Sequence, residues 1–324
     1  LGAGCFTFEA RVGDEWIVSD RGWRCVRGEA WSPVAAPGDV ASLPLESFDA
    51  RAHPHGWELT GFDDAGWSAA TEITPMHTGA SGDPHPPSHP FGMLLPPVRV
   101  AFPDGTTHPA APVAARPIAG AAPLADPVAQ VLADEAEGGE GSVVHLSFDL
   151  GRIVAGTPEL TVRGAEPGTV IDLAAAEHLT DDGRLAPLGQ HAGLRYGCAG
   201  GDERFEGFEV LGTRFLHASV RAPGPTDQLE LDVAVHDRHR PRPDGASFAC
   251  SDPDLERIFD VGLRTVDLCA LDAYVDCPTR EQRAWTGDSV VHQMVDLVAN
   301  PDWSMARWHP QLAAAARVDG MLAM

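Results

Sequence analysis

Residues 276–289 read DCPTREQRAWTGDS. Three carboxylates (Asp276, Glu281, Asp288), two arginines (Arg280, Arg283) and Trp285 fall within this stretch, which is broken by Cys277-Pro278 and closed by Thr286-Gly287-Asp288. Its flanks decide what it is. Upstream, Asp252-Pro253 supplies an N-cap with proline at the first helical position. Leu255, Ile258, Phe259, Gly262, Leu263, Val266 and Ala270 then follow helical spacing. Pro278 must end or interrupt that helix. After Gly287-Asp288 a second helix begins, with Val290, Val291, Met294, Val295 and Val298 on one face. Asn300-Pro301-Asp302 breaks the pattern. A third helical segment carries Trp303, Trp308 and Leu312, and Pro310 is expected to kink or restart it. The stretch is therefore a helix–loop–helix corner of an α domain that starts near residue 245.

The corner has parts that suit sugar chemistry. Glycoside cleavage needs a carboxylic acid to protonate the leaving oxygen and a second carboxylate as base or nucleophile. If the stretch were helical, Glu281 and Asp288 would share a face about two turns apart. Trp285, one turn after Glu281, would flank its carboxyl. Arg280 and Arg283 stand close enough to grip a carboxylate or a hydroxylated ligand. The same residues also suit a solvated corner. Asp288 would then be an N-cap or first-turn residue favoured by the helix dipole. Asp276 would be a turn residue, Glu281 half of a surface ion pair, and Trp285 core. Spacing alone leaves both readings open.

Outward from the corner, the chain reads as two β regions. In residues 143–236, Val144, Leu146, Phe148 and Leu150 alternate with polar residues, as do Leu229, Leu231, Val233 and Val235. Such short alternating strands predict an antiparallel β-sandwich. Residues 1–98 also look all-β, with Phe6, Phe8 and Ala10 alternating with Thr7 and Glu9. Tryptophans recur there at Trp16, Trp23, Trp31, Trp57 and Trp67, and Trp67, just after an Asp-Asp-Ala-Gly turn, reads more as a core plug than as a sugar platform. His77, His85 and His89 lie in a Pro/Gly-rich loop whose spacing fits no metal site, so no metal and no cofactor is expected. Residues 104–142 are rich in Ala, Pro, Gly and acids with weak periodicity, and read as a linker or long surface excursion.

Composition narrows the partners. The 324 residues carry 23 basic and 47 acidic side chains, a net charge of −24, and no lysine. This balance argues against nucleic acid, which needs a basic face, and is compatible with a neutral sugar. No apolar run is long enough to span a membrane. The six cysteines show no C-x-x-C pair and read as free thiols. The chain starts at Leu1 and stops at GMLAM, which leads to the expectation of a fragment.

The thirteen residues DCPTREQRAWTGD resemble the signature of bacterial α-L-rhamnosidases, family 78 of the glycoside hydrolases, in its shorter form. Upstream, ESFDARAHPHGWELTGFDDAGWSAA, FDLGRIVAGTPELTV, AAAEHLTDDGRL and FEVLGTRFLHASV resemble the domains that precede catalysis in that family. GASFACSDPDLERIF resembles the start of its helical barrel, and WSMARWHPQLAAAARVDG the helix after the corner. The resemblance implies a galactose-binding-like β-sandwich over 1–103, a concanavalin-like sandwich over 143–242, and the first helices of an (α/α)6 barrel over 243–324. It implies hydrolysis of terminal α-L-rhamnose, from a glycoside or polysaccharide, with inversion. Carried over by position, Glu281 would be the general acid. Asp276 and Asp288 would bind rhamnose hydroxyls and tune it, Arg280 would bind sugar or order the carboxylates, and Trp285 would wall the pocket. The family's general base has no counterpart before Met324. This chain alone is therefore expected to be inactive, with the inward faces of its helices wet.

Overall fold

The structure, a computed structural model, describes residues 8–32, 34, 45–71, 105–137, 141–187, 192–240, 242–243, 246–315, 317–318 and 321–322. They divide into two compact units. One is drawn from Leu1–Glu29, His53–Val98 and Gln311–Ala323, the other from Ala30–Ala52 and Arg99–Pro310. The loop of His77, His85 and His89 lies outside the described residues. The first strands in chain order are β1 (Glu9–Val12), β2 (Glu15–Val18), β3 (Arg24–Cys25), β4 (Glu46–Asp49) and β5 (Ser68–Ala69).

In the first unit β1 and β2 form a hairpin whose turn uses the left-handed φ of Gly13. β3 pairs with β5. Of the alternating residues, Phe6 lies outside the described residues, Phe8 is exposed just before β1, and Ala10 on β1 is partly buried, while Trp16, Ile17 and Val18 nearby are exposed. Trp57 is exposed too, whereas Trp67 is partly buried and packs edge-on against Phe62 at 5.5 Å.

The second unit is built on a nine-stranded sheet. Besides β4 it contains β6 (Thr107–Pro109), β7 (Ala111–Ile118), β8 (Val143–Ala165), β9 (Val170–Ala176), β12 (Gly193–Gly197), β13 (Gly201–Glu206), β14 (Leu211–Arg221) and β15 (Glu230–Asp237), while β10 (His178–Leu179) and β11 (Leu185–Ala186) form a separate two-stranded sheet. β8 organises it. Its first half lies between β7 and β14, with Val144 opposite both Pro117 and Val220. Its second half lies between β13 and β15, with Leu160 opposite Phe205 and Val233. Gly151, at φ 75°, lies between the halves, where the β14 register also shifts. Inward residues of both halves and their partners, among them Phe148, Leu160, Leu173, Leu194, Leu216 and Val235, form one core. Each such burial stabilises by roughly 1.5–3 kcal/mol. Phe48, Tyr196 and Phe205 stack at its edge.

Residues 104–142 correct the linker expectation. β6 and β7 join the sheet, and α1 (Pro127–Ala136) docks on it. Asp126 caps α1 by accepting from Ala129 N–H at 3.0 Å, with Pro127 at the first position. Val128 and Val131 pack against Ala174, Ala176 and Leu185. Buried Asp134 accepts from Arg221 and from Ala121 N–H. Arg221 also reaches Asp172 at 3.3 Å, and Asp172 takes Arg195 Nε at 2.6 Å. The sequence signal was weak because much of this helix docks through ion pairs rather than an apolar stripe, and β7 is exposed along most of its length.

The helices come last: α2 (Pro253–Leu268), α3 (Thr286–Ala299) and α4 (Ser304–Ala315). Asp252 caps α2, accepting from Asp254 N–H at 3.0 Å. α4 runs on through Pro310 instead of restarting there. Leu255, Ile258 and Val261 on α2, and Val290, Val291, Met294, Leu297 and Val298 on α3, are exposed, Val298 at 84%. Cys25, Cys198, Cys250, Cys269 and Cys277 are free thiols.

Candidate active site

The corner between α2 and α3 is not helical. After Cys269 an isolated bridge joins Ala270 to Tyr274, and irregular chain then runs to Trp285. Asp276 closes this loop on itself. Its backbone N–H donates to Arg283 O at 3.0 Å, and Arg283 N–H returns a bond to Asp276 Oδ1 at 2.8 Å. The Cys277 thiol donates to Asp276 Oδ2 at 3.0 Å and accepts from Glu281 N–H at 3.3 Å. Gln282 has a left-handed φ of 49°, a conformation that costs a non-glycine residue of order 1–3 kcal/mol unless its surroundings hold it. They do: its side-chain amide donates to Val210 O at 2.5 Å and to Pro278 O at 2.7 Å.

The sheet clamps the loop from below. Buried Thr279 shares its one hydroxyl proton between Gly212 O, at 2.7 Å, and Glu177. Val210 packs against Cys269, Leu271 and Val275. The loop's shape is thus set by β14 and by the chain just after β9.

Within the loop, Arg280, Glu281 and Trp285 come together. Glu281 Oε2 accepts from the Trp285 indole N–H at 2.7 Å, and Oε1 pairs with Arg280 at 2.6 Å. The Glu281 side chain is only 15% exposed, whereas that of Arg280 is half exposed. The contact between Glu281 and Trp285 that a helical spacing predicts is therefore made, but by a loop. Asp276 joins the group only through Arg283 and Cys277. Asp288 sits exposed in the first turn of α3 and makes no hydrogen bond to Glu281, so the shared helical face is not formed.

Several groups at the corner carry no local sequence signal. Cys269 is buried, and its thiol is pushed up to about 12, by burial first and then by Cys277, Asp276, Glu177 and Asp288. Glu177, from a different part of the chain, thus acts on the same thiol as Asp276 and Asp288. His292 stands one turn after Asp288. Burial lowers it below the usual imidazole range, although Asp288, Asp296 and Asp276 act in the opposite sense. Its Nδ1 is buried without a hydrogen-bond partner. Tyr274, fully buried, donates its hydroxyl to Asp296 at 2.5 Å and its N–H to His309 Nδ1 at 3.2 Å, which fixes the floor beneath α3 and α4. The arrangement offers a shielded carboxylate oriented by an indole and a guanidinium, with further carboxylates nearby.

Comparison with known proteins gives this corner a family. The family model for the bacterial alpha-L-rhamnosidase concanavalin-like domain matches residues 140–234. That for the bacterial alpha-L-rhamnosidase 6 hairpin glycosidase domain matches residues 243–324 and so includes the corner. Among solved structures, the chain is similar to the alpha-L-rhamnosidase of Dictyoglumus thermophilum, with 22% identity and a TM-score of 0.64 over 95% of this chain and 30% of that one. It is similar to the Streptomyces avermitilis alpha-L-rhamnosidase complexed with L-rhamnose, at 22% identity and a TM-score of 0.52 over 96% of this chain and 31% of that one. The GH78 family rhamnosidase of Bacillus sp. GL1 matches at 24% identity and a TM-score of 0.50, over 55% of this chain and 19% of that one. At these identities the likeness is one of fold, and the chain spans less than a third of each of those proteins. No curated protein matches the chain in sequence. Two consecutive domains of a single family, met in order along one chain, place it among the bacterial α-L-rhamnosidases.

Proposed function

We propose that this chain carries the acid half of an inverting α-L-rhamnosidase site, acting on terminal α-L-rhamnose of a glycoside or polysaccharide. The observation that carries the reading is Glu281 itself: a shielded carboxylate held by the Trp285 indole at 2.7 Å, beside a half-exposed arginine. In the proposed mechanism Glu281 protonates the glycosidic oxygen as the bond to the anomeric carbon breaks. Arg280 leaves the carboxyl to grip sugar hydroxyls, and Trp285 walls the apolar face of the ring. Asp276 and Asp288 bind hydroxyls on the opposite side. The second carboxylate, which activates water, belongs to a part of the six-hairpin domain outside residues 1–324. The exposed apolar faces of α2 and α3 are where the remaining helices of an (α/α)6 barrel would pack. This chain alone is accordingly inactive.

The test uses full-length protein and two substrates. Glu281→Gln should lose more kcat/KM on a natural rhamnoside, whose leaving group is poor, than on an aryl rhamnoside. Equal loss on both, or no loss, removes Glu281 from the acid role. A second reading, sugar binding without catalysis, has one observation in its favour. Trp23, Trp57, Trp67 and Arg24 line a cleft of about 350 Å³ in the first unit. Rhamnose binding that survives Glu281→Gln but is lost in Trp57→Ala would support it.

A further inference from the structure

A second cluster lies away from the corner, where α1 covers the sheet. His145 on β8 and His217 on β14 are diagonal neighbours on one face, since His145 stands opposite Ser219 and His217 opposite Ser147. Their rings are 5.4 Å apart and nearly perpendicular. Glu135, in the last turn of α1, meets them from above, with Oε1 2.8 Å from His217 Nδ1. All three residues are buried: His217 at 2%, His145 at 3% and Glu135 at 6% exposure. They border a cleft of about 450 Å³.

We propose that Glu135, His145 and His217 form a metal site for one divalent cation of zinc-like chemistry. Each residue offers a donor atom, and the three donors lie within 4.8 Å of one another. Donors around a tetrahedral zinc at about 2.0–2.1 Å stand roughly 3.3 Å apart, so no edge need contract by more than about 1.5 Å, a shift within reach of side-chain torsions. Two imidazoles and a carboxylate are a donor set that zinc accepts, with a fourth position left for water from the cleft.

Two further observations point to a ligand. His145 Nδ1 is buried with no hydrogen-bond partner, an arrangement that costs free energy unless something binds there. The Glu135 carboxylate is buried without an arginine. Its partners are His217 and the Leu185 N–H, at 3.1 and 3.2 Å. Arg116, the nearby cation, instead donates to the carbonyl oxygens of Glu135 and Glu137 at the end of α1. The contact between His217 and Glu135 satisfies those two side chains, yet it leaves His145 unexplained. A bound cation accounts for all three side chains. The inference is independent of the rhamnosidase reading, because none of these residues belongs to the corner.

The test strips the purified 1–324 protein with a chelator and titrates it with Co²⁺, then with Zn²⁺. Wild type should show tetrahedral Co²⁺ absorption that saturates at one ion per chain, lacks a thiolate charge-transfer band, and is displaced by zinc. Zinc-edge X-ray absorption should show imidazole and oxygen ligands without sulfur. His145→Gln and Glu135→Gln should weaken binding by more than the about 10–100-fold that loss of an outer-shell partner costs. Absent Co²⁺ bands, sulfur in the zinc shell, or unchanged affinity in both folded variants would each overturn the proposal. The two wild-type spectra decide the matter even if a variant fails to fold.

Discussion

Gly212→Ala tests whether the sheet holds the loop of Glu281 in shape. An added Cβ would lie 2.8 Å from both the carbonyl carbon and the Cβ of Pro278, and would also meet Thr279 Oγ1. The Pro278 carbonyl carbon is backbone, so the loop itself must move. Over-packing of this kind costs about 1–3 kcal/mol. The cost should fall on the loop, because residues 278–282 are held to the sheet by the bonds of Thr279 and Gln282. The assay is hydrogen exchange at Asp276, Glu281 and Arg283, whose amides are bonded only within the loop. A local opening free energy lower by that amount speeds their exchange roughly 5- to 150-fold. Thr279→Val is the companion variant. It keeps the volume, but leaves Gly212 O and Glu177 without the hydroxyl, at about 1–3 kcal/mol. If both variants keep native circular dichroism and these amides exchange at the wild-type rate, the sheet does not hold the loop.

Two further predictions concern stability. Asp134→Ala removes the fully buried carboxylate that takes Arg221 and Ala121 N–H, and should cost about 3–5 kcal/mol in urea unfolding; a loss under about 1 kcal/mol would contradict the ion-pair docking of α1. The second is alkaline lability. Burial raises the Cys198 and Cys269 thiols from 9.0 to about 12. The folded state thus favours the neutral thiol, so this stability is whole below pH 9 and declines as pH rises from 9 toward 12. At pH 10 each thiol costs roughly 1.4 kcal/mol relative to neutral pH, about 3 kcal/mol for the pair. Cys198→Ala should remove about half of that loss; an unchanged difference between pH 8 and pH 10 would show that these thiols do not carry it.

What the sequence made legible was local. The N-cap at Asp252-Pro253, the period change into α2, and the alternation in β8 and β15 each use neighbouring residues, so they appear at the right places. Glu281 and Trp285 were paired by their spacing, and they do touch. The reason was different, because a left-handed Gln282 and a clamp on Val210, rather than a helix, bring them together. The helical geometry that would join Glu281 to Asp288 fails for the same reason. α1 was missed because Asp134 and Glu135 are buried by partners far along the chain, at Arg221 and His217. An acid-rich segment next to glycines looks solvated until those partners are known.

The same logic separates the two sites. At the corner the candidate groups are contiguous, so a motif can report them, while the parts that fix their geometry (Glu177, Val210, Gly212) are scattered and silent. In the histidine cluster even the candidate ligands are scattered, over 82 residues and three elements, so no spacing rule could have found them. Only antiparallel register aligns His145 with His217, and only the docking of α1 brings Glu135 over them. A site assembled this way depends on the whole sheet. Its metal affinity should therefore fall together with the fold when Asp134 is removed, whereas the loop of Glu281 should loosen on Gly212→Ala while the sheet stays folded.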